Sequence, residues 1–159
     1  MLFDVGDKVV YPHHGAATVE AKETKVMFGE ERVYLMLRLS YGEMTVSVPA
    51  DNSEDVGLRP IIDADEVPEV LAVLAKPEAR MPTNWSRRFK NHQEKLKSGD
   101  SYQVAEVIRN LTIRENERGL SAGEKRMLAQ ARRNLISELT FALDVAVEVA
   151  ERTLDEALP

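Results

Sequence analysis

The sequence predicts an α+β protein, a small curled sheet or SH3-like β-barrel at residues 1–62 followed by an all-helical domain of about five helices at 63–159. Three observations carry this. Up to Pro60, short alternating apolar runs sit between tight turn signals. From Asp63 onward the apolar residues recur at helical spacing instead. The charge segregates as well: residues 1–66 hold 6 basic and 13 acidic side chains, 67–133 hold 14 and 8, and 134–159 hold 1 and 6. These balances of −7, +6 and −5 make up the net charge of −6 and put a basic middle between two acidic ends.

Along the β part, Lys8-Val9-Val10-Tyr11 is the first strand and Pro12 stops it, because proline has no N–H to give to a ladder. Ala17 to Val26 alternates and leads into the turn Phe28-Gly29-Glu30. Arg32 to Leu39 sets Val33, Leu35, Leu37 and Leu39 against Arg32, Tyr34, Met36 and Arg38, a pattern expected of a central strand covered on both sides. Tyr41-Gly42-Glu43 is a second hairpin turn, Met44, Val46 and Val48 give the next strand, and Val56 to Arg59 a last short one. Exposed edges of such a sheet can accept a strand from another protein.

In the helical part, Asp65 and Glu66 favour a helix start by their interaction with its dipole, and Val67, Val70, Leu71 and Leu74 form its apolar stripe. Thr83 is a candidate cap for a helix over Asn84 to Lys97 that Gly99 ends. Asp100 or Ser101 opens the next, which stops at Gly119. Ser121-Ala122-Gly123-Glu124 is a capping box, after which Met127, Leu128, Ala131, Leu135 and Leu139 face inward. An amphipathic acidic helix from Asp144 to Leu158 completes the chain.

Composition excludes several classes. There is no cysteine, hence no disulfide, thiolate metal site or cysteine nucleophile. No apolar run is long enough to span a bilayer, and Met1-Leu2-Phe3-Asp4 is not the start of a signal peptide, so a cytoplasmic protein is expected. No nucleophile elbow, phosphate loop or metal motif appears, and no spacing singles out a pair of carboxylates, so neither an enzyme nor a cofactor is expected. His13-His14 is the only histidine pair, but adjacent side chains on an extended segment point apart, which favours a turn contact over a metal.

The segment Asn84-Trp85-Ser86-Arg87-Arg88-Phe89-Lys90 stands out. Trp85, the only tryptophan, falls in the first turn of a predicted helix, and Arg80 to Lys97 carry six basic residues against one acidic. Such density can neutralise phosphates, and a large ring beside it can wedge at a base step. The residue types equally allow a tryptophan anchoring the bundle core, with a solvated basic face around it. Of a second basic cluster, including Arg109, Arg114, Arg118, Lys125, Arg126, Arg132 and Arg133, Lys125 and Arg126 directly follow the capping box, near a helix amino terminus whose free N–H groups attract phosphate. An acidic β module joined to a locally basic, aromatic helical module could bridge a protein to a nucleic acid.

Three stretches, Val5 to Ala17, Pro82 to Arg88 and Arg118 to Leu128, resemble the CarD family of bacterial transcription regulators in its actinobacterial form, in order and over nearly the whole chain. The resemblance implies a Tudor-like domain that binds the β-subunit lobe of RNA polymerase, in holoenzyme with the primary sigma factor, and a helical domain that contacts promoter DNA at the upstream edge of the bubble largely independently of sequence. It implies that Trp85 wedges into the minor groove, with Arg87, Lys90 and Lys125 on the backbone, and that the open complex is stabilised without catalysis. Arg88, Arg114 and Arg126 join these as candidate DNA contacts. The protein would act as a monomer when bound and sit at the nucleoid through the polymerase. The alternative is an adaptor on the polymerase that never touches DNA.

Two departures from the family pattern carry expectations. Close actinobacterial relatives have arginines for the polymerase contact at the positions of Lys25 and Ser47; Lys25 loses the planar fork and Ser47 the charge, so the contact is expected to be weaker, shifted, or compensated by Arg38 or another strand residue. Thr140 to Glu148 lacks the polar break that the family pattern has between the last two helices, which leaves open whether they stay separate, merge or kink.

Overall fold

A computed structural model describes residues 3–41 and 43–159. Five strands come first: β1 (Lys8–Tyr11), β2 (Gly15–Met27), β3 (Glu30–Leu39), β4 (Thr45–Pro49) and β5 (Arg59–Pro60). All pair antiparallel in the order β4-β3-β2-β1-β5. Five helices follow: α1 (Val67–Ala75), α2 (Trp85–Lys97), α3 (Ser101–Glu117), α4 (Ala122–Leu143) and α5 (Val147–Ala157). The α+β class and the helix count are those expected.

The sheet is open, where a small barrel was expected. β5 has two residues and pairs only with β1, through Val10–Arg59 and Val9–Pro60. Pro60 has no N–H to offer, so β5 cannot close a second ladder onto β4. This strand also begins at Arg59, not at Val56. β3 is an interior strand, between β4 and β2, but only one of its faces is covered: Leu35, Leu37 and Leu39 are buried with Val9, Val19 and Val48, while Arg38 is exposed. The tight β2–β3 turn places Phe28 and Gly29 at φ of 53° and 78°, the left-handed pair that a two-residue hairpin requires. Gly42, in the second expected turn, lies outside the described residues; the Leu39 N–H donates to the Met44 carbonyl across it at 2.8 Å.

The helical core joins Val70 and Leu74 of α1, Ile108 and Leu111 of α3, Leu135 and Leu139 of α4, and Ala150 and Leu154 of α5. α4 and α5 neither merge nor form one kinked rod. Asp144 adopts a left-handed conformation (φ 53°), which aspartate tolerates better than most residues, and α5 restarts at Val147.

One face of α4 holds the β part in place. Asn134, Ser137 and Glu138, at positions i, i+3 and i+4, all reach it. Asn134 Nδ2 donates to the Pro12 carbonyl (3.1 Å) and Ser137 Oγ accepts from the Ala16 N–H (2.9 Å). The Glu138 carboxylate takes a two-pronged contact from Arg59 (2.7 and 2.8 Å) and another from the Ile62 N–H (2.9 Å). Gly15, with φ 86°, lies so close that a Cβ there would stand 2.9 Å from Ser137 Oγ.

Candidate nucleic-acid interface

α2 opens at Asn84, whose side chain accepts from the Arg87 N–H at 3.1 Å; Asn84, not Thr83, is therefore the cap. Because Trp85 is the first helical residue, its ring lies across the helix end and out of the bundle. It is 45% exposed, which separates it from the buried anchor that its residue type also allowed. Phe89, one turn on, stacks under it with ring centroids 4.9 Å apart.

A chain of hydrogen bonds orients the indole. Trp85 Nε1 donates to Ser121 Oγ (3.1 Å), and that hydroxyl is the N-cap of α4. Ser121 Oγ also accepts from the Glu124 N–H (3.2 Å) and donates to Glu124 Oε1 (3.1 Å), and the Ser121 N–H donates to the same Oε1 (3.3 Å), which completes the capping box. Glu124 Oε2 then meets Arg88 Nε at 2.9 Å, and Arg88 Nη1 donates to the Thr83 carbonyl at 3.1 Å. Burial alone pushes the Glu124 carboxyl up, but the hydrogen bonds from Arg88 and Ser121 outweigh it and hold the group below the usual carboxylate range. The wiring ties together the N-termini of α2 and α4, the positive ends of two helix dipoles, beside one exposed ring.

Arg88 accordingly leaves the set of phosphate contacts expected from sequence. It is 2% exposed and spent on Glu124. Its place in the basic run gave no sign of this, since at three residues past Trp85 it falls on the inward side of α2. Arg87, Lys90, Lys125 and Arg126 are all exposed, and among the described residues none has a carboxylate within ion-pair distance. Glu124, the nearest acid by position, is neutralised in the interior. Arg114 sits in the last turn of α3, half-buried, with its Nε lacking a partner and no hydrogen bond to the Trp85 cluster.

Behind the cluster, His92 is buried on α2. Burial first, and the Lys95 charge second, lower its pKa to about 4. Arg109 Nε and Nη2 donate to Asn110 Oδ1 (3.2 and 3.0 Å), which turns the Asn110 amide so that Nδ2 donates to His92 Nε2 at 3.2 Å. The ring is therefore neutral at ordinary pH, and its Nδ1 has no hydrogen-bond partner among the described residues. His13 and His14 pack against Tyr11, with ring centroids 5.6 and 5.4 Å away.

In the β part, register brings Lys25, Arg38 and Ser47 to the uncovered face of the sheet. Lys25 pairs with Arg32, Met36 with Ser47, and Arg38 with Thr18 and Thr45. Lys25 Nζ donates to Ser47 Oγ (3.5 Å) and lies 5.3 Å from the Tyr34 ring. Arg38 stands apart from these two, 3.8 Å from Glu20. The same hairpin carries an apolar tip that sequence reading passed over: Phe28 is fully exposed (101%), with Val26 and Met27 also exposed. A phenylalanine in a turn signal was the available clue.

Among the described residues no helix is long and apolar enough to cross a membrane. The model for the CarD-like/TRCF RID domain matches residues 3–62, and that for the CarD C-terminal domain matches residues 69–155. A curated protein of Bacillus subtilis (strain 168), "Putative transcription factor YdeB", is 36% identical over 138 residues, covering 87% of this chain and 90% of that protein.

Proposed function

The chain belongs to the CarD-like family, and on that premise we propose that it regulates transcription initiation by docking on RNA polymerase and propping open promoter DNA. Residues 1–62 dock on the polymerase β subunit through the sheet face bearing Lys25, Arg38 and Ser47. Residues 63–159 meet the upstream edge of the bubble. Trp85 enters the minor groove, and Arg87, Lys90, Lys125 and Arg126 neutralise backbone phosphates on either side. Arg88 and Glu124 hold the ring in register from beneath. The open complex is stabilised because it binds better than the closed one, with no bond made or broken.

The supporting observation is the exposed, hydrogen-bonded Trp85 at the junction of the N-termini of α2 and α4, two helices that also carry four exposed cations with no ion-pair partner among the described residues. Unstacking a base step costs a few kcal/mol, which favours a site where the duplex is already distorted. A tether to the polymerase supplies local concentration, so a modest DNA affinity suffices. The rival, an adaptor with no DNA contact, has no use for a half-exposed indole held by its N–H.

Binding of the chain to a promoter fork across a salt series tests this. Each phosphate contact contributes roughly −0.9 to the slope of log K against log salt on B-DNA. Arg87→Gln with Lys125→Gln is expected to flatten the slope by about 2. An unchanged slope, or binding that does not depend on salt, refutes the DNA assignment.

A further inference from the structure

A groove of about 410 Å³ opens beside the tryptophan, between α2, α4 and the turn from β1 to β2. Phe89 and Met127 supply an apolar lining, and Phe89 is also the ring on which the indole stacks. Lys97 and Arg126 line the same groove; both are exposed and, among the described residues, free of any carboxylate partner. Gln93 adds an exposed carboxamide. In a chain with 27 acidic residues, none lines this groove.

We infer that this groove receives one unpaired nucleotide of the promoter DNA, its base against Phe89 and Met127 and its phosphate near Lys97 and Arg126. The inference rests on the reading of Trp85 as a wedge. A side chain driven into a base step leaves a base without its stacking partner, and a displaced base must go to water or to a surface. An apolar lining that includes an aromatic ring, a cationic rim and an amide able to pair with a base edge is the chemistry that recognises unpaired nucleotides. A paired duplex has no need of a recess, because its phosphates lie on the outside. The volume also falls within the roughly 300–1,000 Å³ of small-ligand sites. The wedge and the recess would then act together, one opening the stack and the other preventing its return.

The test uses the full chain and three duplexes: fully paired, with a single 2-aminopurine bulge, and with the same bulge made abasic. Base–aromatic stacking predicts at least about fivefold tighter binding to the base-bearing bulge than to the abasic one, with a change in 2-aminopurine fluorescence. Gly123→Leu fills the groove. A Cβ at that position meets Phe89 at 3.7 Å and Trp85 at 4.0 Å, ordinary contact distances, and leucine favours a helix over glycine; circular dichroism checks the fold of the variant, and Gly123→Ala is the smaller replacement should leucine not fold. It is expected to abolish the fivefold preference. Lys97→Gln, on an exposed side chain, is expected to weaken binding to the base-bearing bulge and leave the paired duplex unaffected. If wild type binds all three duplexes with salt dependence but without preference, or if Gly123→Leu retains the preference, the recess is wrong and the wedge stands. Equal affinity for free 2-aminopurine deoxynucleotide overturns promoter DNA as the occupant. No salt-dependent binding to any duplex overturns the wedge reading itself, and the recess with it.

Discussion

Arg88→Ala separates a structural arginine from a DNA-binding one. The wild-type side chain pairs with Glu124 at 2.9 Å, both partners almost wholly buried, and also satisfies the Thr83 carbonyl at 3.1 Å. Truncation strands an ionised carboxylate whose remaining partners are the Ser121 hydroxyl and N–H. Breaking a buried pair from one side costs about 3–5 kcal/mol, set against total stabilities of about 5–15 kcal/mol. At about 2–4 °C per kcal/mol for a chain of this size, the midpoint falls by roughly 6–20 °C. Urea and thermal unfolding followed by circular dichroism measure it. The double variant Arg88→Met with Glu124→Met replaces charge by apolar volume and recovers most of that loss, less about 1 kcal/mol for the broken capping box. A loss below about 1 kcal/mol for Arg88→Ala, with a flatter salt dependence of DNA binding, refutes the reasoning and returns Arg88 to the phosphates.

Three other outcomes follow from the same structure. Phe28→Asn relieves a bulky left-handed residue at the hairpin tip and is expected to stabilise the fold by about 1 kcal/mol in urea unfolding; destabilisation means that Phe28 is held by contacts despite its exposure. The buried His92 stays neutral down to about pH 4, whereas an unfolded ring binds its proton near 6.5, so stability is full above 6.5 and falls as pH drops toward 4, by up to about 3 kcal/mol; a pH series of urea melts shows this slope in wild type and loses it in His92→Asn. Glu138→Ala removes the contacts from Arg59 and Ile62 and costs about 2–3 kcal/mol, and Trp85 fluorescence and far-ultraviolet dichroism cease to report one coincident transition.

Much of this was legible in the sequence, because local chemistry decides it. The capping box at Ser121, the cap at Asp100 and the apolar spacing of α4 each need only neighbours within a turn. The last helix was placed from Asp144 by sequence, but whether it continues from the one before was not legible, since a single left-handed residue between two helical patterns leaves the hydrophobic period intact. Closure of the sheet depended on whether two residues at Arg59 and Pro60 could bridge a distant edge, which periodicity does not encode. Trp85 was legible as a feature but not as exposed: its exposure follows from Asn84 taking the cap and placing the ring on the first turn. Arg88 could not be told from Arg87 by composition, because its partner lies 36 positions away. The recess beside Phe89 joins α2, α4 and the β1–β2 turn, and no motif announces it.

The most direct test of the central claim is the lifetime of a promoter open complex formed by the cognate RNA polymerase, with wild-type protein or a folded Trp85→Ala variant added. Wild type is predicted to lengthen the lifetime and Trp85→Ala to leave it at the level of polymerase alone. Equal lengthening by both would contradict the wedge and move the effect to polymerase docking or to the surrounding cations.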